Sequence, residues 1–147
     1  MRQRILFVFL GVLIGLPGVP TGGTMAAAPA DRDPSELIGT WRGTSTCTDL
    51  VAAPGCRDEV VVYELTAGEK PGTVHWQADK VVDGKRQSMG EMDLVYDKDA
   101  RCWSAEFTSP RVHSIWCLVV EGKHLTGTGR LLPGNQTIRR IDARKDG

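Results

Sequence analysis

Between Asp31 and Gly147 the chain leaves no gap long enough for a crossover helix, and this constrains the fold more than any other feature. Strand-like runs occupy 38–47, 58–66, 73–82, 86–96, 101–108, 111–120, 123–131 and 136–144. Turn formers separate them: Ala53-Pro54-Gly55, Lys70-Pro71-Gly72, Asp83-Gly84, Asp97-Lys98-Asp99, Ser109-Pro110, Glu121-Gly122 and Pro133-Gly134-Asn135. Parallel neighbours need a crossover of about a dozen residues or more, whereas antiparallel neighbours need only a hairpin. The chain is therefore all-β, an antiparallel up-and-down meander of about eight strands. An open meander exposes two edges and closure removes both, so a small barrel is expected over 37–147. An eight-stranded barrel is either filled by side chains or holds one small ligand.

Hairpin registers can be tested against one another, because residues opposite each other share a face. With Ser109-Pro110 as a two-residue turn, Phe107 faces Val112, Ala105 faces Ser114 and Trp103 faces Trp116. That set is apolar or small and reads as the inner face. The same register sets Cys102 against Cys117 and Glu106 against His113 on the outer face. With Glu121-Gly122 as the next turn, Leu118 faces Leu125 and Trp116 faces Gly127. A two-residue loop at Asp83-Gly84 splits Trp76 from Met92 and Leu94. A three-residue loop, Val82-Asp83-Gly84, restores the match and sets Trp76 against Gly90. The inner face then has a bulky end (Leu65, Val74, Leu94, Trp103, Leu118, Leu125) and an end of small residues (Ser45, Ala78, Gly90, Ser114, Gly129). A plugged floor and a roomier mouth are expected.

Residues 1–30 read as a secretory signal peptide. Arg2 and Arg4 form a positive start, Ile5 to Leu16 is an unbroken apolar run, and Ala28-Pro29-Ala30 supplies small residues for cleavage after Ala30. The alternative is an uncleaved anchor. No Cys near the cleavage site offers a lipid attachment point. Residues 31–36 are a polar lead-in containing Pro34. An exported chain meets an oxidising compartment, periplasmic or extracellular, where cysteines form disulfides. The register pairs Cys102 with Cys117 and leaves Cys47 with Cys56. No Cys-x2-Cys spacing and no clustered His supports zinc instead. Lys+Arg and Asp+Glu each number 18 and are interspersed, which argues against nucleic acid as a partner and against a charged tail.

Gly39-Thr40-Trp41 resembles the Gly-x-Trp signature on the first strand of lipocalins and related calycin barrels. The resemblance covers about 110 residues in pattern. In that family the Trp sits at the closed end and an Arg in or after the last strand packs over it. The resemblance assigns the floor to Trp41 and Arg140, from a run that also holds Arg139 and, further on, Arg144. A guanidinium over an indole is a cation–π contact, stronger when desolvated. Larger lipocalins have longer strands and a C-terminal helix, and this chain has room for neither. It is similar in size to avidin-like or bacterial inhibitor-type barrels.

Trp76, Phe107, Val112 and Trp116 are the candidate walls of a ligand site in the mouth, with a packed core as their other reading. Lys80 lies on the inner face near the rim, beside Ser88 and level with Glu59. It could neutralise a ligand carboxylate, or simply snorkel to water. Glu106 and His113 lack a nucleophile and a water-excluded cavity, and read as a surface ion pair. His75 and His124 fall on outer faces with no shared metal spacing, and Asp97-Lys98-Asp99 lacks the Gly and Glu of a calcium loop. No nucleophile elbow, phosphate loop or dinucleotide fingerprint is present. The expectation is a non-enzyme without cofactor or metal. It would bind a small hydrophobic or amphipathic ligand, without stable membrane insertion after signal cleavage. The rival is an extracytoplasmic protein–protein module such as an inhibitor of a secreted enzyme, working through the loop Thr48 to Arg57 or an N-terminal segment.

Overall fold

The computed structural model describes residues 32–147; the expected signal peptide, its expected cleavage site and Asp31 lie outside them. A 3-10 turn, Pro34–Glu36, precedes eight strands: β1 (Gly39–Cys47), β2 (Glu59–Ala67), β3 (Thr73–Val82), β4 (Lys85–Asp97), β5 (Cys102–Thr108), β6 (His113–Glu121), β7 (His124–Leu131) and β8 (Gln136–Lys145). Each pairs antiparallel with the next, and β8 returns to β1, so the meander closes into a barrel.

Alternation drives this arrangement. Along β2, Val61, Tyr63 and Leu65 point inward and are fully buried, and each such side chain contributes roughly 1.5–3 kcal/mol. The bulky end is the floor: Leu65, Val74, Leu94, Trp103, Leu118 and Leu125 are all at most 1% exposed. On the outside, Arg86 binds Asp79 (2.7 Å) and Glu64 (2.9 Å), so the buried Asp79 carboxylate is paired.

Three hairpin registers differ from expectation. The β5–β6 loop has four residues, Ser109–Val112, so Phe107 pairs with Ser114 and Trp103 with Leu118. The Ser109 hydroxyl accepts the N–H groups of Arg111 and Val112, which stabilises the longer loop. The β6–β7 turn is Gly122-Lys123, so Trp116 pairs with Gly129. There the Trp116 ring lies where a side chain on Gly129 would stand, 2.8 Å from an added Cβ. Both shifts are of two residues, so every side chain keeps its face. Cys117 pairs with Ser104, and the disulfide to Cys102 runs diagonally; Cys47 is joined to Cys56. The third hairpin has a two-residue turn after all, with both Asp83 and Gly84 at positive φ. Parity is restored instead by a bulge, where Met89 is an extra residue in β4 opposite Ala78/Asp79.

The ladder between β4 and β5 is the shortest. Only Val95–Asp97 pair with Cys102–Ser104, whereas the other ladders hold six to ten residue pairs. Above those three pairs, β4 from Lys85 to Leu94 and β5 from Ala105 to Thr108 have no strand partner on the facing side.

Candidate functional site

The floor sets the depth of the site. Trp41 is fully buried and its indole N–H donates to the Leu37 carbonyl (2.8 Å). The cation over its ring is Lys145, with Nζ 5.3 Å from the centroid. Arg140, expected there, pairs with Thr46 and Thr128 and faces outward over a surface groove. Arg144 is level with the floor but on the outer face, opposite Arg42 and His124. Inward positions on β8 are Arg139, Ile141, Ala143 and Lys145, because Lys145 stands opposite Trp41. Gly39 completes the device. It has φ +137°, and a Cβ there would come within 2.7 Å of the Lys145 stem. The polar lead-in also belongs to the floor. Glu36 accepts from the Trp103 indole (2.9 Å) through its carboxylate and from Lys145 Nζ (3.4 Å) through its carbonyl, and Leu37 is fully buried.

Above this floor lies a cavity of about 380 Å³. Its inner wall is aromatic. Trp76 meets Tyr63 edge to face (5.1 Å between ring centroids) and meets Trp116 likewise (5.7 Å). Met89, Met92 and Phe107 extend the apolar lining toward the opening. Of the expected wall residues, Trp76, Phe107 and Trp116 line this cavity, as does Lys80. Val112 does not; it lies in the β5–β6 loop, beyond the strand that was to carry it inward. The cavity also reaches the unpaired part of β4 through Ser88, Gly90 and Glu91, so the split between β4 and β5 borders it.

Three charges stand at the upper wall. Glu59 lies between two cations: Arg139 Nη1 is 3.2 Å from one carboxylate oxygen and Lys80 Nζ is 3.8 Å from the other. The side chains of Glu59 and Arg139 are each 15% exposed, so their pairing is partly desolvated and stronger than a surface contact. Arg139 also donates to the hydroxyl (3.0 Å) and carbonyl (3.3 Å) of Ser45. Lys80 holds Glu59 only loosely and is 36% exposed, so it has donors to spare. Its strand partner is Gln87 rather than Ser88, owing to the bulge, although Ser88 also lines the cavity. Burial pushes the Tyr63 phenol far above the ordinary tyrosine range. The Ser45 hydrogen bond and the Arg139 charge pull it back by less. The Trp76 indole N–H is buried without a hydrogen-bond partner.

Arg139 and Tyr63 were not expected as mouth residues. Ile138 and Ile141, three apart, cannot both face inward on a strand. Ile138 is the outward one, yet it is buried beside Cys56 of the disulfide-bound loop. Choosing the parity that keeps Ile141 and Ala143 inward would have brought Arg139 into the mouth. Glu106 and His113 touch on the exposed outer face, and His75 sits against Asp93 (3.0 Å), also exposed.

Fold and floor together define a closed eight-stranded up-and-down barrel whose first-strand tryptophan lies at the closed end under a cation from the end of the last strand, the arrangement expected from the resemblance of Gly39-Thr40-Trp41. No family model matches the chain, and no curated protein matches it. Among solved structures it is similar to a siderocalin, Ex-FABP, described as functioning through dual ligand specificities. The TM-score is 0.48 and the identity 8%, with 76% of this chain and 74% of that chain covered.

Proposed function

We propose that this chain is an exported binding protein that takes a small hydrophobic or amphipathic ligand into the mouth of its barrel. The observation that carries this reading is the cavity itself: about 380 Å³, bordered by Tyr63, Trp76 and Trp116, with Lys80 and Arg139 at its rim. Ligand pockets of this kind are mostly apolar, with a few convergent polar groups. Trp76, Trp116 and Phe107 contact the apolar body of the ligand, and Lys80 neutralises a carboxylate or similar anion at its head. Two disulfides support export, and among the described residues no helix is long and apolar enough to cross a membrane. The reading is of binding rather than catalysis, since the Glu106–His113 pair lies on the exposed outer face.

The inhibitor-type alternative ranks second. Its N-terminal route needs a free segment, and here Glu36 and Leu37 are engaged with Trp41, Trp103 and Lys145, which leaves it the loop from Thr48 to Arg57.

The test is titration with apolar probes of matched shape, one neutral (N-phenyl-1-naphthylamine) and one anionic (anilinonaphthalene sulfonate), followed by a fatty-acid panel. Trp76 and Trp116 report binding by a change in emission. Saturation at 100 times Kd adds about 2.7 kcal/mol of stability and raises Tm. Lys80→Met should weaken the anionic probe severalfold and leave the neutral one nearly unchanged. Unchanged emission and Tm across the whole panel would remove the basis of this reading.

A further inference from the structure

Four charged residues border the cavity: Glu59, Lys80, Glu91 and Arg139. Glu91 belongs to the outer face, opposite Gln77 on the β3–β4 ladder; its carboxylate is 70% exposed and turned toward His75 (3.6 Å). The other three face inward, since Glu59 stands opposite Ser45, Lys80 opposite Val61, and Arg139 two residues before Ile141. They are two cations and one carboxylate, and the carboxylate lies between the cations, 3.2 Å from Arg139 Nη1 and 3.8 Å from Lys80 Nζ.

Glu59 leaves donors of both cations uncommitted. Arg139 engages Glu59 and Ser45 through Nη1 alone; its Nε and Nη2 have no partner among the described residues, and neither is buried. Those two nitrogens form the edge of the guanidinium that grips a carboxylate or phosphate through parallel N–H···O bonds. Lys80 holds Glu59 loosely and keeps further donors. Charge then decides which head fits. Two positive charges and one negative leave the inward group at a formal +1. Attraction to that spare charge grows in proportion to the charge of the head, whereas the cost of taking the head out of water grows with its square. One negative charge is matched. A second is desolvated with no further cation to meet it, in a site where Glu59 and Arg139 are themselves mostly buried. Without Glu59 the same cations would carry two charges and suit a dianion.

We infer that Glu59 sets the ligand specificity of the cavity: it restricts the site to amphiphiles whose head bears one negative charge, a carboxylate or a phosphodiester, and turns away dianions such as phosphate monoesters. Glu59 acts in this way only if the cavity is the ligand site proposed above.

The experiment is displacement of bound N-phenyl-1-naphthylamine, which is neutral, by decanoate, decyl methyl phosphate and decyl phosphate at about pH 8. The first two carry one negative charge; the third carries nearly two, because its second pKa is about 6. Decanoate and decyl methyl phosphate should displace the probe at concentrations within about threefold of each other, and decyl phosphate should need about tenfold more. Glu59→Gln should remove or reverse the gap between the two phosphates. Glu91→Gln should leave it unchanged, because Glu91 faces out. If Glu59 only held the wall together, its variant would have a lower Tm and bind all three amphiphiles more weakly with their ratios intact, and that result overturns the inference. Equal displacement by the two phosphates in the wild-type chain also overturns it, with no variant needed, and leaves the cavity a ligand site of another selectivity. Failure of the neutral probe to bind removes the ligand site and its selectivity together.

Discussion

The phenol of Tyr63 sits where the packed floor gives way to the cavity, and its burial has a measurable consequence. Its folded-state pKa is raised above the unfolded value of about 10, chiefly because the phenolate loses its water. A raised pKa contributes stability that is fully present below the unfolded pKa and is lost as pH rises. Urea stability should therefore change little through this group up to about pH 9 and fall beyond pH 10. Tyr63→Phe should be destabilised by about 1 kcal/mol at pH 8, through loss of the Ser45 hydrogen bond, and should then show a shallower alkaline fall than the wild-type chain. Parallel alkaline slopes for the two proteins would mean that the phenol is already solvated. At the opposite end, Lys145 shows how one residue seals a floor. Its stem crosses Gly39, its ammonium faces the Trp41 ring, and it donates to Glu36. The expectation of Arg140 came from the resemblance and had the right chemistry but the wrong residue, because strand parity turns Arg140 outward.

Among the elements, the loop from Thr48 to Asp58 is the most constrained irregular segment. Cys47–Cys56 closes it, and Asp49 accepts two of its N–H groups. Thr48 N also donates to the Ile138 carbonyl, which ties the loop to β8. Replacing both cysteines by Ala should cost about 3 kcal/mol by the chain-entropy account, read as a lower urea midpoint. An unchanged midpoint would mean that Asp49 and Thr48 suffice to order the loop. The short turn Pro34–Glu36 illustrates the opposite case. Its polar sequence reads as a lead-in, yet Glu36 joins the floor through groups 67 and 109 residues away, Trp103 and Lys145. No local pattern signals contacts of that range.

At the scale of the whole molecule, the barrel is strong below and loosely closed on one side above. The three-pair ladder between β4 and β5 leaves a long stretch of β4 without partners toward β5, protected by its bulge and by Lys85, Arg86 and Glu91 rather than by pairing. Hydrogen exchange should report this as a gradient. Amides of β5 from Ala105 to Thr108 that face β4 should exchange earliest among strand amides, and those of β2 and β3 latest. Uniform protection around the barrel would contradict a seam that opens first. Much of the fold is legible in the residues alone. Strand number, strand limits within a few residues, the small-residue mouth and the inward and outward sets, Val112 and the arginines of β8 apart, follow from alternation and turn chemistry, which act over two to four residues; both cysteine pairs are as expected, although the register that set Cys102 directly opposite Cys117 is two residues off. The floor cation, the place of Arg139 beside Glu59, and the two-residue slips at both β6 hairpins do not. Each depends on how a loop closes or where a bulge absorbs one residue, and those choices are made by packing across the barrel. The sequence by itself determined that this chain buries Trp41 and leaves Ala78 and Ser114 facing a roomier end. Only the tertiary structure decided that Arg139, Glu59 and Lys80 meet there, because strands distant in sequence become neighbours only when the barrel closes.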